Sequence, residues 1–359
     1  MNVSYDLAVN LPLRSRVAER LTRALRGITV GNDMLAYPPM EGGLAIREAV
    51  AGWMRRHAGH SVVDPRRLVL TLGARHALSL ALDETCAAGE TLLVEAMTYH
   101  GFRSSAGARG VRVRGVAMDA HGMLPGALDD MAAASGARTV YLQPTLQNPT
   151  TATMPLARRR ELLAVAETRD LTIIEGDVYS PLAWNGSEPL PALADLAPGR
   201  CLHAGGIGKI LGPGLRMGWL LLPDGHSHHR ASEGVRLATD GVPMLIPSVI
   251  GAWMADGTAD ELLGALNEDM RRRHALARDI LGAGLMGGAG LHAWLPTDDA
   301  VGIETRALTH GVHVTPSRPL AADGIHATGV RLALGAEEDP ARLEAALRIV
   351  ASSRLSRPS

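Results

Sequence analysis

The chain has 359 residues, 46% hydrophobic, 20% charged and 3% aromatic, with a formal net charge of -1 at pH 7. That length allows one large or two medium domains with a substantial core, and the near-neutral charge leaves no electrostatic footprint for nucleic acid or an anionic membrane. No apolar run reaches the roughly 18 residues of a membrane span, the opening MNVSYDLAVNLPLRSR lacks signal-peptide character, and Cys86 and Cys201 are too few for a disulfide framework or a four-ligand zinc site. A cytoplasmic, enzyme-sized protein is expected.

Helical and strand patterns alternate along the chain, which predicts an α/β fold. Val17, Leu21, Ala24, Leu25 and Ile28 recur at helical spacing, as do Ile46, Val50, Trp53 and Met54. LVLTL (68–72) then reads as a buried strand that ends at Gly73 and gives way to a helix through Cys86. TLLVE (91–95), VRVRGVAM (111–118), TVYLQ (139–143) and LTIIE (171–175) are further short apolar runs, with helical segments at 125–134 and 155–168. CLHAG (201–205) and MGWLLLP (217–223) complete the strands, and the remainder is more helical, with 274–285 and a last helix from about Pro340 to Ala351. Residues 45–225 form the expected large, doubly wound domain. Residues 226–359 form a smaller one, to which residues 1–44 add. The tract HSHH (226–229) lies in a Gly- and Asp-flanked turn and reads as solvated loop, not as a metal site.

Of the 36 Lys plus Arg residues, 35 are Arg, and the single lysine is Lys209. Where arginine replaces lysine throughout, the survivor marks a place arginine cannot serve: a lysine amine can lose its proton and attack a carbonyl, whereas a guanidinium stays charged. Lys209 sits in HAGGIGKILGPGLRMG among glycines that let a backbone approach a ligand closely, and Arg216 follows on the same loop. An amine and a fixed guanidinium together suit a ligand with a carbonyl and a phosphate, such as pyridoxal 5'-phosphate. LTIIEGDVYS runs a strand into Asp177, with Tyr179 two residues on and so expected on the same side. Asp177 suits a pyridinium proton and Tyr179 a phenolic oxygen. Gly73-Ala74-Arg75 opens a helix, where free N–H groups favour a phosphate. Asn148 precedes Pro149, which holds it extended.

Taken in order, these segments resemble the fold-type I pyridoxal-phosphate enzymes of aminotransferase class I/II, and in particular the aminotransferase-like domain of MocR-type regulators. The resemblance is carried by YPPMEGGLAIREAVAGWM (37–54), LTLGARHAL (70–78), VEAMTYHGF (94–102), LQPTLQNPTTATMPLARRREL (142–162), IIEGDVY (173–179), GKILGPGLRMGWL (208–220) and ATGVRLALG (327–335). It implies a mostly parallel, doubly wound sheet in a large domain with a smaller α+β domain. It further implies that Lys209 is the Schiff-base lysine and proton shuttle, that Asp177 pairs with the pyridine nitrogen, and that Asn148 and Tyr179 face the phenolic oxygen. Tyr99 would stack on the ring, and Gly73, Ala74, Arg75 and Arg216 would hold the phosphate. Arg331 would bind the substrate carboxylate, Asn148 would also contact the substrate, and Gly42 or Gly43 would line the pocket. Tyr37 would reach the neighbouring subunit's site, which implies a homodimer in which residues 1–44 take part.

The departures from the family pattern are informative too. Only about 36 residues precede Tyr37, too few for the regulators' winged helix, so no nucleic-acid partner is expected. Gly206-Ile207-Gly208-Lys209 replaces a Ser-x-Ser-Lys arrangement, and Arg75 stands where glutamine is common; Arg75 is expected to supply a charged contact in place of a lost serine. Thr315-Pro316-Ser317-Arg318 replaces a Pro-Gly segment, and Arg318 is either a contact for an acidic substrate or a solvated loop residue. The expected activity is an aminotransferase that turns an amino acid into a 2-oxo acid with ping-pong kinetics. A β-eliminating lyase or decarboxylating enzyme is the alternative, and a non-catalytic effector-binding module the third.

Overall fold

The computed structural model describes residues 4–355, apart from 185, 227 and 325–326. A central sheet of seven strands is formed by β1 (Leu68–Thr71), β2 (Thr91–Glu95), β3 (Arg112–Val116), β4 (Thr139–Leu142), β5 (Thr172–Asp177), β6 (Cys201–Gly206) and β7 (Gly218–Leu221). Their spatial order is β1-β7-β6-β5-β4-β2-β3, and every pairing is parallel except those of β7, which runs antiparallel to β1 and β6. Helices cover both faces, so β1, β2 and β4 are buried along their whole length and read in the sequence as unbroken apolar runs. Each fully buried Leu or Val there contributes roughly 1.5–3 kcal/mol.

Local chemistry sets the helix limits. α1 covers Ser15–Arg26, α2 Leu44–His57, α3 Ala74–Thr85 and α4 His100–Ala108. The helix Pro125–Ser135 starts on a proline, whose fixed φ suits the first turn, and stops at Gly136 in the left-handed region, φ 65°. Strand β3 ends at Val116, so the run expected over 111–118 breaks before a two-residue hairpin at Met118–Asp119 and Gly122–Met123. The helix expected over 274–285 is the last part of a 24-residue helix, Thr258–Leu281.

A three-stranded antiparallel sheet comes next, with β8 (His292–Pro296), β9 (Thr315–Pro316) and β10 (Gly329–Ala333) in the order β8-β10-β9. Helices Ala300–Thr309 and Pro340–Leu355 accompany it. The start of the chain is fastened to this region: Tyr5–Asp6 pairs in parallel with Val312–His313, and Leu7 carbonyl accepts from Ala333 N at 2.8 Å. Among the described residues, no helix is long and apolar enough to cross a membrane, and no group of three or more His, Cys, Asp or Glu is placed to hold a metal. In the tract 226–229, Ser227 lies outside the described residues.

Candidate active site

The parallel strands all end on one edge of the sheet, and the segments leaving five of them there carry chemistry. After β1 comes Gly73 and the N-terminus of α3; after β2, Tyr99; after β4, the loop to Asn148; after β5, Tyr179; after β6, Lys209. β7 runs the other way and so begins at this same edge, directly behind Arg216. These segments enclose a cavity of about 810 Å³ whose lining includes Gly73, Ala74, Arg75, Tyr99, Asn148, Tyr179, Lys209, Arg216 and Arg331.

Two backbone features build the anion end. Gly73 adopts φ 83°, which turns β1 sharply into α3, and no side chain caps that helix. Arg216 takes a left-handed conformation, φ 48°, that brings its guanidinium within 3.4 Å of where a Gly73 Cβ would stand, and its Nη2 donates to Leu72 carbonyl. Gly218 is needed for the same approach, because a Cβ there would lie 2.5 Å from the Gly73 carbonyl carbon. Arg75 adds a second guanidinium, 6.0 Å from the centre of the Tyr99 ring.

Lys209 follows the glycine run at the end of β6, in a turn of Ile207–Lys209. Its Nζ donates to Asn10 carbonyl at 2.6 Å. Burial, then the charge of Arg331, lowers its pKa from 10.5 to about 8, so far more of it is neutral near physiological pH than of an ordinary lysine.

Asp177 does not share a strand face with Tyr179. β5 ends at Asp177, and Tyr179 begins the next short helix with ψ -14°, so the two-residue spacing does not put them side by side. Asp177 is buried beneath the cavity between Gly176 and Val178, which line it, and Oδ1 accepts from Ser180 N at 2.9 Å. Burial raises its pKa, and His203 opposes that rise. His203 lies 3.5 Å (Nδ1) from Glu175 Oε2 and 4.0 Å (Nε2) from Asp177 Oδ2. Burial works against its proton, but the hydrogen bond and charge of Glu175 outweigh it and keep its pKa above the ordinary imidazole value.

Arg331 comes from β10, at the far side of the cavity. Its Nη1 donates to Asn148 Oδ1 at 2.8 Å and its Nη2 to Ala8 carbonyl and Thr315 Oγ1, while its buried Nε has no partner. The loop that presents Asn148 is held by buried Arg159, which donates to the carbonyls of Met154, Pro191 and Pro144 and to Thr145 Oγ1.

Five of the residues singled out in the sequence do not line this cavity, buried Asp177 among them. Tyr37 is 85% exposed. Gly42 (φ 85°) lets its loop lie against β1, where a Cβ would come within 2.4 Å of Leu70 Cδ1, and Gly43 faces Met244 and Ile46. Arg318 points to solvent, and its neighbour Pro319 lines the cavity instead. Conversely, Ala8, Asn10, Tyr141, Gln143 and His100 line it and were not singled out. Nothing local marks Asn10, since its segment is joined to residues some 300 positions away.

The donor set fits pyridoxal phosphate. A partly neutral amine stands in the same cavity as an uncapped helix terminus flanked by two guanidiniums and a third guanidinium with an unpartnered N–H, and just beneath it lies a buried carboxylate whose ionisation is favoured by neighbouring His203. No acidic side chain lines the cavity among the described residues.

Comparison with known proteins agrees with this geometry. The chain belongs to the aminotransferase class I and II family, whose profile matches residues 4–350. It superposes on the crystal structure of LysN, an α-aminoadipate aminotransferase from Thermus thermophilus complexed with N-(5'-phosphopyridoxyl)-L-leucine. The TM-score is 0.86 and the identity 26%, covering 98% of this chain and 92% of that one. In sequence it is 29% identical to 2-aminoadipate transaminase of Thermus thermophilus over 87% of this chain and 79% of that protein. It is also 29% identical to an uncharacterized HTH-type transcriptional regulator of Bacillus subtilis, YdfD, over 86% of this chain and 63% of the regulator. A second such regulator, YisV, is matched over 54% of its length, so the chain spans about half to two thirds of these regulators.

Proposed function

We propose that the chain is a pyridoxal-phosphate-dependent aminotransferase that moves an amino group between an α-amino acid and a 2-oxo acid. The observation that carries this reading is Lys209: the only lysine of the chain, with a pKa lowered to about 8, in one cavity with Arg331. Pyridoxal phosphate, when bound, supplies an electron sink that stabilises negative charge at the carbon bearing the amino group.

The chain's residues do the rest. The α3 N-terminus and Arg216 hold the phosphate, with Arg75 as a further charged contact. Asp177 is the counter-charge for the ring nitrogen, and Asn148 and Tyr179 face the ring oxygen. Tyr99 packs on the ring. Arg331 fixes the substrate carboxylate, leaving Lys209 Nζ to take a proton from the α-carbon and return it elsewhere. Exposed Tyr37 would reach the site of a second copy, so the reading includes a homodimer, and the expected place of action is the cytoplasm. Residues 45–225 and 226–359 are taken as the two domains between which the substrate sits.

The test is to load purified protein with pyridoxal phosphate and add a panel of amino acids, with and without a 2-oxo acid. Loss of the cofactor's visible band, restored only by a 2-oxo acid, supports transamination. Restoration without one, with release of ammonia or carbon dioxide, would replace this reading by elimination or decarboxylation. Binding of an amino acid with no turnover would favour an effector-binding module, a reading encouraged by the similarity to regulators.

A further inference from the structure

We propose that Asn10 is a positioning residue: its side-chain amide, oriented by His292, donates to the Tyr179 hydroxyl and leaves the phenolic proton to be given into the cavity. The inference rests on the cofactor reading above, and its argument is the polarity of a buried chain of hydrogen bonds.

His292 is buried at the start of β8 and packs edge-on to the Tyr179 ring, with centroids 5.5 Å apart. Burial, then Arg331, pushes its pKa well below the ordinary imidazole value, so the ring is neutral and carries one N–H. Nε2 lies 3.4 Å from Gln147 carbonyl, which can only accept, so the proton sits on Nε2 and Nδ1 presents a lone pair. Asn10 Nδ2 is 3.0 Å from Nδ1, so the amide must turn its nitrogen, not its oxygen, towards the ring. The second hydrogen on that nitrogen reaches Tyr179 Oη at 3.0 Å. A phenol that accepts there keeps its own proton for an acceptor in the cavity, which Tyr179 lines.

The opposite orientation would set the amide oxygen against a lone pair on His292 and would draw the Tyr179 proton out of the cavity. The observed one leaves Asn10 Oδ1 buried with no partner, a cost that simple packing does not explain. The same residue's carbonyl holds Lys209 Nζ, so Asn10 touches both the lysine and the tyrosine of the site. The titratable and charged groups facing Tyr179 are Arg331, Tyr99, Tyr141 and His292, and His292 is itself faced by Arg331, His274 and Lys209.

The experiment is a mutant cycle read by spectroscopy, not turnover. Apoprotein of wild type, Asn10→Ala, Tyr179→Phe and the double variant is titrated with pyridoxal phosphate, and the visible band is then followed against pH. Asn10→Ala is expected to loosen the cofactor roughly threefold to tenfold and to move the band's pH midpoint upward, because a weaker donor stabilises the ring oxygen less. Both effects should vanish in the Tyr179→Phe background. His292→Leu frees the amide to turn and should shift the midpoint in the same direction, which keeps the test open if Asn10→Ala folds poorly. An unchanged midpoint in the foldable variants, or an equal shift with Phe at 179, overturns the role of Asn10 alone. Wild type that binds no pyridoxal phosphate overturns the function proposed above and this inference with it.

Discussion

Arg331 Nη1 and Asn148 Oδ1 are joined by a 2.8 Å hydrogen bond across 183 residues of sequence, linking the small antiparallel sheet to the loop after β4. Nη2 is engaged by Ala8 carbonyl and Thr315 Oγ1, and the buried Nε has no partner. Arg331→Ala should therefore raise the amino-acid KM roughly tenfold to a hundredfold, the loss of a charge-assisted pair. Steady-state kinetics with a saturating 2-oxo acid measure this. An unchanged KM would move the carboxylate site elsewhere.

With one lysine in the chain, amine chemistry reports on the site directly. Apoprotein treated with an amine-reactive reagent over a pH series should acquire label at Lys209 with a midpoint near the expected pKa of about 8, not near 10.5. Below that midpoint the amine is protonated and unreactive; above it the lone pair is free. Mass spectrometry of the peptide gives the profile, and a midpoint close to 10.5 would remove the electrostatic basis for Lys209 as a proton carrier.

Arg75 lines the cavity beside Tyr99, and glycines at 206 and 208 leave no hydroxyl next to the lysine. Arg75→Gln is expected to weaken pyridoxal phosphate binding by about tenfold, the worth of a charged hydrogen bond. Equilibrium titration of apoprotein decides it. Affinity equal to wild type would assign Arg75 to the substrate side.

Glu95 makes the site's scaffold sensitive to pH. It ends β2 fully buried and accepts from Gln143 N and Gln147 Nε2, which ties down the loop carrying Asn148. Burial raises its pKa from 4.5 to about 8 in spite of those donors. The unfolded chain releases this proton near 4.5 and the folded protein holds it until about 8, so this group makes stability fall as pH rises between the two values. Glu95→Gln keeps the acceptor without the charge. It should flatten that slope and stabilise the protein by about 1–3 kcal/mol at the alkaline end, as measured by denaturant unfolding at several pH values. A variant with the wild-type slope would refute the assignment.

Much of this architecture is written locally. Strands buried on both faces must be apolar along their length, so the sequence marks β1, β2, β4, β5 and β6 within a residue or two of their observed limits. Chemistry that sits where such a strand ends is marked with it. Gly73, Asn148, Asp177 and Lys209 each lie within a few residues of the carboxyl end of a strand, and a solitary lysine among arginines draws notice by composition alone.

Contacts between distant segments were not legible in the same way. Asn10 lies in a stretch without periodicity, and it reaches the cavity because Tyr5–Asp6 pairs with Val312–His313. His292 looks like any strand histidine until the fold sets it against Asn10 and Tyr179. The Asp177–Tyr179 spacing suggested a shared strand face, and the chain turned into a helix between them instead. The sequence by itself determined the α/β layering, the strand ends and the lysine, because burial and backbone preference act over a few residues. Only the tertiary structure decided which side chains meet in the cavity, because hydrogen-bond polarity and pKa depend on neighbours that the chain brings in from hundreds of positions away.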